Sequence, residues 1–366
     1  MKKNLLTSLL LIFCSFATNA QITSVANGNW TSPATWGGIP PTPGATVIIN
    51  HAVTLDMDWG YTSGSITINA AGSLTGNSPA RGMAISGGSI TVNGYFDVSR
   101  VALYAGTATN SGTFVADSLY NATTLTNNVS GTIVANQFLI FTGGNFTNNG
   151  NVVSVNFLNM AAVSNFGTIH ANDFMNSKSF TNANAAGVTA NHNFLNSDSL
   201  ATPAIFTNNG HVAVYNDWAN NVIVSSTVNG TGTFCVVNNT YNSGLMTGNF
   251  DFCDQSGGNI DLNTGTIAGT VTHCLFSCAS GTMEYAKGLS VDIFPNPNNG
   301  IFSITIKNAS SKLFVDLYSV LGEKVFSTQI TNEKTNLDMG QQAKGIYFYQ
   351  IKNENEVLKS GKIIVQ

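Results

Sequence analysis

Charge is what this chain has least of. Lysine, arginine, aspartate and glutamate together make up 9% of its 366 residues, and the formal net charge is −4. Between Gln21 and Ala286 the only lysines and arginines are Arg81, Arg100 and Lys178. A nucleic-acid-binding surface needs a basic patch or stripe, so that class is excluded. Helical periodicity is missing as well, and Gly and Asn recur too densely for helices. After the first twenty residues no apolar run is long enough to span a bilayer, so no transmembrane segment is expected. The cysteines are few and fit no zinc spacing. The Gly-Gly-x-Gly-x-Asp calcium repeat does not occur. No metal or other cofactor is therefore expected. Low charge alone would be compatible with disorder, but 43% of the residues are hydrophobic, including 22 Phe, so a core is available.

The N-terminus carries Lys2 and Lys3, an apolar run from Leu5 to Phe16, and then Ala17-Thr18-Asn19-Ala20. A charged start, a short apolar stretch and a small-residue end read as a secretory signal peptide over residues 1–20. An exported chain favours disulfides over free thiols. Cys235, Cys253, Cys274 and Cys278 are the disulfide candidates. Cys235 and Cys253 lie about one repeat apart, which would place them on neighbouring coils.

The repeat is marked by Gly112, Gly131, Gly150, Gly167, Gly187, Gly210 and Gly232, spaced roughly 17 to 23 residues apart, the range of solenoid coils. Aligned on these glycines, three apolar columns appear. Two residues after the glycine come Phe114, Ile133, Val152, Ile169, Val212 and Phe234. Seven to nine after it come Leu119, Phe138, Phe157, Phe174, Phe194, Trp218 and Tyr241. Before it lie Leu125, Phe146, Val163, Phe180, Phe206 and Val228. Three inward positions per coil, each in a short alternating segment, predict three short strands separated by turns. Stacked coils of this kind form an all-β, right-handed parallel β-helix, expected over residues 61–280. The phrases Phe157-Leu158-Asn159, Phe174-Met175-Asn176 and Phe194-Leu195-Asn196 predict asparagines stacked rung on rung as an amide ladder. The aromatic column is read as core rather than as a sugar platform, because alternation turns it inward.

Residues 21–60 are read as an N-terminal cap. They contain Gly28-Asn29-Trp30, Pro33-Ala34-Thr35-Trp36-Gly37 and the alternating run Val47 to Asp56. This segment resembles the opening of G8-type domains and the caps of exported β-helix proteins of Bacteroidota. An uncapped end rung would expose strand edges and an open core, which a Trp- and Pro-rich plug would cover. His51 is read as part of that cap.

Composition changes near residue 286, where Lys becomes frequent and the Asn-Gly rhythm stops. Residues 281–288 are read as a linker. Residues 289–366 alternate like a small immunoglobulin-like β-sandwich. The series Phe294-Pro295-Asn296-Pro297 with Gly300, then Gly322 and Lys324, Gly345 and Tyr347, Lys359 and Lys362, resembles a type A C-terminal sorting domain of the type IX secretion system. The resemblance implies as partners the type IX secretion machinery and its C-terminal signal peptidase. It further implies removal of the domain near its start, and a destination in the medium or on the outer cell surface.

Parallel β-helices include glycosidases and lyases, so fold alone leaves catalysis open. A glycosidase needs two carboxylates at a set separation. Asp117, Asp173, Asp217 and Asp198 stand five, six, seven and eleven residues after their glycines, a scatter expected to spread them around the coil. Asp251 and Asp254 flank Cys253 and make the nearest approach to a cluster. Asp at coil corners is ordinary turn chemistry, so no catalytic residue is assigned. The expectation is a non-enzymatic, adhesin-like or structural surface protein whose partners include glycans or matrix. A carbohydrate-active enzyme is the alternative. Asp117-Ser118-Leu119 and Asp198-Ser199-Leu200 resemble the O-glycosylation acceptor of Bacteroidota, making Ser118 and Ser199 candidates.

Overall fold

The computed structural model describes residues 21–76, 78–198, 202–221, 226–274, 290–296, 298–307, 313–319, 323–330, 332, 334–339, 342–352 and 357–366. The expected signal peptide, the linker, Pro297, Gly322, Cys278 and Ser199 lie outside the described residues. The chain divides into two compact units, Met1–Cys278 and Ala279–Gln366.

The first unit is a parallel β-solenoid of about 11 turns. Its described strands form a 13-stranded and a 19-stranded sheet. The three apolar columns point inward, as expected. Phe114, Phe138 and Phe146 are at most 1% exposed, and each pairs in register with its counterpart on the next coil. Three faces result, but only two of the three junctions are loops. In Thr113–Asn121, Thr132–Ile140 and Asn151–Asn159, two strands run into one another. Two consecutive outward residues, such as Asp117 and Ser118, reset the alternation there and bend the strand.

One column member was misassigned. Trp218 stands opposite Thr240, and Ala219 opposite Tyr241. Thr240 therefore faces inward at 2% exposure, and Tyr241 faces out. The aromatic column ends there, because the coil above supplies carboxylates in place of apolar side chains.

The glycine rhythm has a close-approach cause. A Cβ on Gly150 would meet the Gly131 carbonyl oxygen at 2.2 Å, and one on Gly167 would meet that of Gly150 at 2.0 Å. Each turn rests on the turn below with no room for a side chain. Gly187 is the exception. It pairs with Thr168 inside a strand, and a Cβ there would meet only a threonine methyl at 3.8 Å. In that coil the chain turns at Ala185, with φ of 64°, and Ala186, so the marker at 187 is displaced by one residue.

Two amide ladders run up the core. In one, Asn110, Asn127, Asn148, Asn165 and Asn182 each donate from Nδ2 to the Oδ1 of the next asparagine at 2.8 Å, ending on Asn208. In the other, Asn159 through Asn242 donate upward in the same way, ending on Asn263. The second Nδ2 hydrogen goes to a backbone carbonyl of a higher coil, as from Asn148 to Thr168. That bond fixes which way each amide points.

Parallel pairing starts inside the expected cap, where Gln21–Thr23 pairs with Thr46–Ile49. Trp30 is fully buried between Trp36 and Trp59, with ring centroids 5.3 and 5.2 Å away. The single helical turn Pro33–Trp36 brings Trp36 across, and its Nε1 donates to the Trp30 carbonyl at 2.7 Å. His51 contacts Ser24, its Nδ1 3.0 Å from Oγ.

No strand of the 13-stranded sheet contains Asp, Glu, Lys, Arg or His. Its outward positions are mainly Thr and Ser, including Thr91, Thr109, Thr126 and Thr147 in register.

The second unit holds a three-stranded and a four-stranded antiparallel sheet. They share one core that includes Phe302, Ile304, Val315, Leu317 and Ile351, in keeping with the expected sandwich.

Candidate functional site

Asp251 and Asp254 are separated by three residues, an odd number, so a strand turns them to opposite faces. The structure places them accordingly. Asp251 accepts from Thr272 Oγ1 at 2.7 Å. Asp254 stands in register with inward Val236. It accepts from Thr240 Oγ1 at 2.6 Å and from Ser256 N and Oγ at 2.8 and 2.7 Å. Burial alone would raise its carboxyl, but these hydrogen bonds outweigh burial and hold it below the usual carboxylate range. Asp261 Oδ2 accepts from the Thr240 backbone N–H at 2.9 Å. Asp254 and Asp261 therefore bond around Thr240 at the end of the core, while Asp251 stands on the opposite face of its strand.

Cys235 and Cys253 do sit on neighbouring rungs in register. The bond is nonetheless Cys253–Cys274, across 21 residues, and Cys235 is also disulfide-bonded. No group of three or more potential metal ligands is found among the described residues.

The other aspartates are less scattered than their sequence offsets imply. Phe174 N–H donates to the Asn193 carbonyl, Phe194 N–H to that of Asp217, and Trp218 N–H to that of Asn239. Asp173, Asn193, Asp217 and Asn239 thus form one outward column at the strand bend. Counting from the glycine misses this because corner lengths differ between coils. Asn193 Nδ2 donates to Asp173 at 3.0 Å, and Asn239 Nδ2 to Asp217 at 2.8 Å. Asp117 lies beside that column and accepts from Ser99 and Asn136, while Asp198 is 1% exposed. Ser118 is half-buried and outward, between Arg100 and Gln137 in register.

The most distinctive surface was not anticipated. Phe157 and Asn159 both face inward, so Leu158 between them must face out. The same logic applies on every coil of this face. Tyr120, Leu139, Leu158, Met175, Leu195, Ala219 and Tyr241 form one outward apolar stripe in continuous register. At its N-terminal end the stripe gives way to Ala102, Ala84 and Gly60. These small residues open a groove of about 530 Å³. On one side, Arg100 Nη2 lies 3.5 Å from Asp58 Oδ2, with both side chains well exposed. Asp58 Oδ1 also accepts from Gly82 N–H at 2.7 Å. The other boundary is aromatic. Tyr104 is 61% exposed, and Tyr120 stacks on Phe141 with centroids 5.9 Å apart.

In the second unit the sorting-motif residues hold the sandwich together. Asn296 donates from Nδ2 to the Lys362 carbonyl at 3.0 Å and accepts from Ile364 N–H at 2.9 Å. Those bonds tie the segment at Pro295 to the last strand. Gly300 has φ of +98° and its N–H caps Asn298 Oδ1 at 2.8 Å. Tyr347 is 6% exposed, and its hydroxyl donates to the Ala343 carbonyl at 2.6 Å. Gly345 opens the strand Gly345–Lys352, and Lys359 pairs with Ile351. Lys324 has a partner no motif revealed. Its Nζ lies 2.9 Å from Asp316 Oδ2, and Lys352 Nζ lies 2.6 Å from the same atom. The Asp316 side chain is fully buried. Burial would raise its carboxyl, but Lys352, Ser327 and Lys324 together hold it far below the usual range.

Residues 292–366 match the model of a secretion system C-terminal sorting domain. The chain is therefore exported by type IX secretion to the cell surface or extracellular space. No curated protein matches the chain. Among solved structures it is similar to a chitinase of Paenibacillus sp. strain FPU-7, described as a bacterial cell-surface-expressed multi-modular enzyme machinery. Identity is 14% over 70% of this chain and 24% of that one, with a TM-score of 0.17. This chain thus spans under a quarter of that protein's length.

Proposed function

We propose that this protein is a non-enzymatic, adhesin-like solenoid that meets glycans or matrix through the outer face of its 19-stranded sheet. Export by type IX secretion to the cell surface or extracellular space supports that reading. The observation that carries the reading is the apolar stripe, Tyr120 to Tyr241, held in one register with a groove at its end. The stripe is half-buried but contiguous, and a contiguous apolar patch on an outer face marks an interaction site. The acidic residues favour a binding role over catalysis, since Asp117, Asp173, Asp217, Asp251, Asp254 and Asp261 each serve as an acceptor within their own coil stack. The sorting module is cut near its start by the C-terminal signal peptidase, and intact mass of the exported protein should show loss of roughly the last eighty residues.

One arrangement favours the enzymatic alternative. Asp173 and Asp217 are in one column two rungs apart, about 9.6 Å at 4.8 Å per rung, close to the upper limit for an inverting pair. Asn193 fills the rung between them and donates to Asp173, where such a pair would need an open water. A glycan array run beside a hydrolysis screen on the exported protein tests both readings. Binding without turnover is expected. Depolymerisation that disappears in Asp173→Asn or Asp217→Asn would replace the adhesin reading with an inverting glycosidase.

A further inference from the structure

The groove at the N-terminal end of the stripe differs from the rest of that face in three ways. Its floor is made of Gly60, Ala84 and Ala102, which leave the backbone sheet bare. One boundary is aromatic. The other pairs a carboxylate with a guanidinium, so donors and acceptors stand together with no net charge. From Gly60 to Tyr120 there are three rung steps, about 14 Å at 4.8 Å each. Tyr120, next in the same column as Gly60, Ala84 and Ala102, rises from that floor and ends the groove.

These features select a ligand. The space is long and shallow, so the ligand is a short extended segment. Tyrosine faces stack on rings with apolar C–H surfaces. The Asp58–Arg100 pair is exposed, so it can exchange water for ligand hydroxyls at little desolvation cost, and each partner already neutralises the other. A uronate or an ammonium sugar would find no uncompensated charge to meet. We propose that this groove binds two to three residues of a neutral pyranose chain running along the solenoid axis. The sugar rings lie on Tyr104 and Tyr120, and their hydroxyls bond to Asp58 and Arg100. The proposal rests on the adhesin reading and assigns it a place and a ligand class.

The test uses the exported protein and its variants Tyr104→Ala, Tyr120→Ala and Arg100→Met. Phe166→Ala serves as control, because Phe166 is 57% exposed and is not among the residues lining the groove. Titration calorimetry would use hexamers of neutral β-linked glucose, N-acetylglucosamine, mannose and xylose, with polygalacturonate as the acidic comparison. Adhesion of each variant to immobilised cells is measured in parallel, and circular dichroism verifies folding. Binding of at least one neutral hexamer is expected, weakened about ten-fold or more by each tyrosine variant and unchanged by Phe166→Ala. Neutral-sugar binding untouched by both tyrosine variants overturns the groove and leaves the adhesin reading intact. Binding of polygalacturonate alone overturns the ligand class. Adhesion to cells with no sugar bound also overturns the groove. Failure to bind either sugars or cells ends the adhesin reading itself.

Discussion

Val92 lies one rung below Asn110 and in register with it, and it leaves the Oδ1 of Asn110 buried without a donor. Every later member of that ladder has its Oδ1 filled by the asparagine beneath. The ladder therefore begins on an unmet acceptor and gains in value with each rung above it.

Removing a middle amide of this ladder should cost far more than removing the exposed end of the other ladder. Asn165→Ala strips the acceptor from Asn148 and the donor from Asn182, both fully buried. Two orphaned groups predict a loss of about 2–4 kcal/mol. Asn263→Ala, at the exposed upper end, should cost under about 1 kcal/mol. Urea midpoints of the two variants check the order, and equal shifts would refute the ladder as a source of stability.

Two glycines from the same sequence rhythm should behave oppositely. Gly150→Ala drives a methyl into a backbone oxygen of the coil below and should lower stability by several kcal/mol, beyond the usual 0.5–3 for a point change. Gly187→Ala meets only van der Waals contact and should be neutral or stabilising by about 0.4–1 kcal/mol. Thermal unfolding of both is the measurement.

Phe157 stacks on Phe174 at 5.1 Å and meets Phe138 edge-on at 5.3 Å. Phe157→Ala should cost about 3–5 kcal/mol, the range for emptying an aromatic core site. An unchanged denaturation midpoint would contradict the packing described here.

Acid should weaken the C-terminal module through Asp316. Its folded pKa is depressed from the ordinary 3.8. The stabilisation is therefore complete above that ordinary value and drains away as pH falls below it towards the folded one. Replacing both Lys324 and Lys352 with Met leaves a buried carboxylate unpaired and should destabilise the module at neutral pH. Calorimetry of the full chain from pH 7 down to pH 2 should show the module's transition falling with acid in the wild type. In the double variant that slope should shrink or reverse.

The coils, the three inward columns and the sorting module were legible because each rests on a repeated or motif-level signal. Alternation alone puts Phe157 inside. The ladder was readable from Asn159, Asn176 and Asn196, although the second ladder through Asn148 and Asn165 went unremarked despite its repeated Thr-Asn phrases. Register at single residues was harder. Gly187 and Tyr241 were each misplaced by one, because coil length varies and strand alternation makes a one-residue slip change face. The outward stripe was available in principle from Leu158 between two inward residues, but it requires deciding first that Asn159 is core. The groove was not legible at all. It depends on small side chains at Gly60, Ala84 and Ala102 coming into line across three coils of unequal length. The pairing of Lys324 with Asp316 is a contact between neighbouring strands that no local pattern encodes.

The thirteen strands without an ionisable side chain give the molecule one flank that its surroundings cannot retune. Brine cannot screen a surface with no charges to screen, and neither acid nor alkali can switch one with no protons to trade. Whatever that flank rests against on a crowded cell, it offers the same hydroxyls in seawater, in soil or in a gut. The ionisable side chains of the solenoid stand outside those strands. Changes in salt or pH therefore act on the ionisable groups outside those strands, Lys178 at their edge included, and leave the strands' own hydroxyls and amides unchanged.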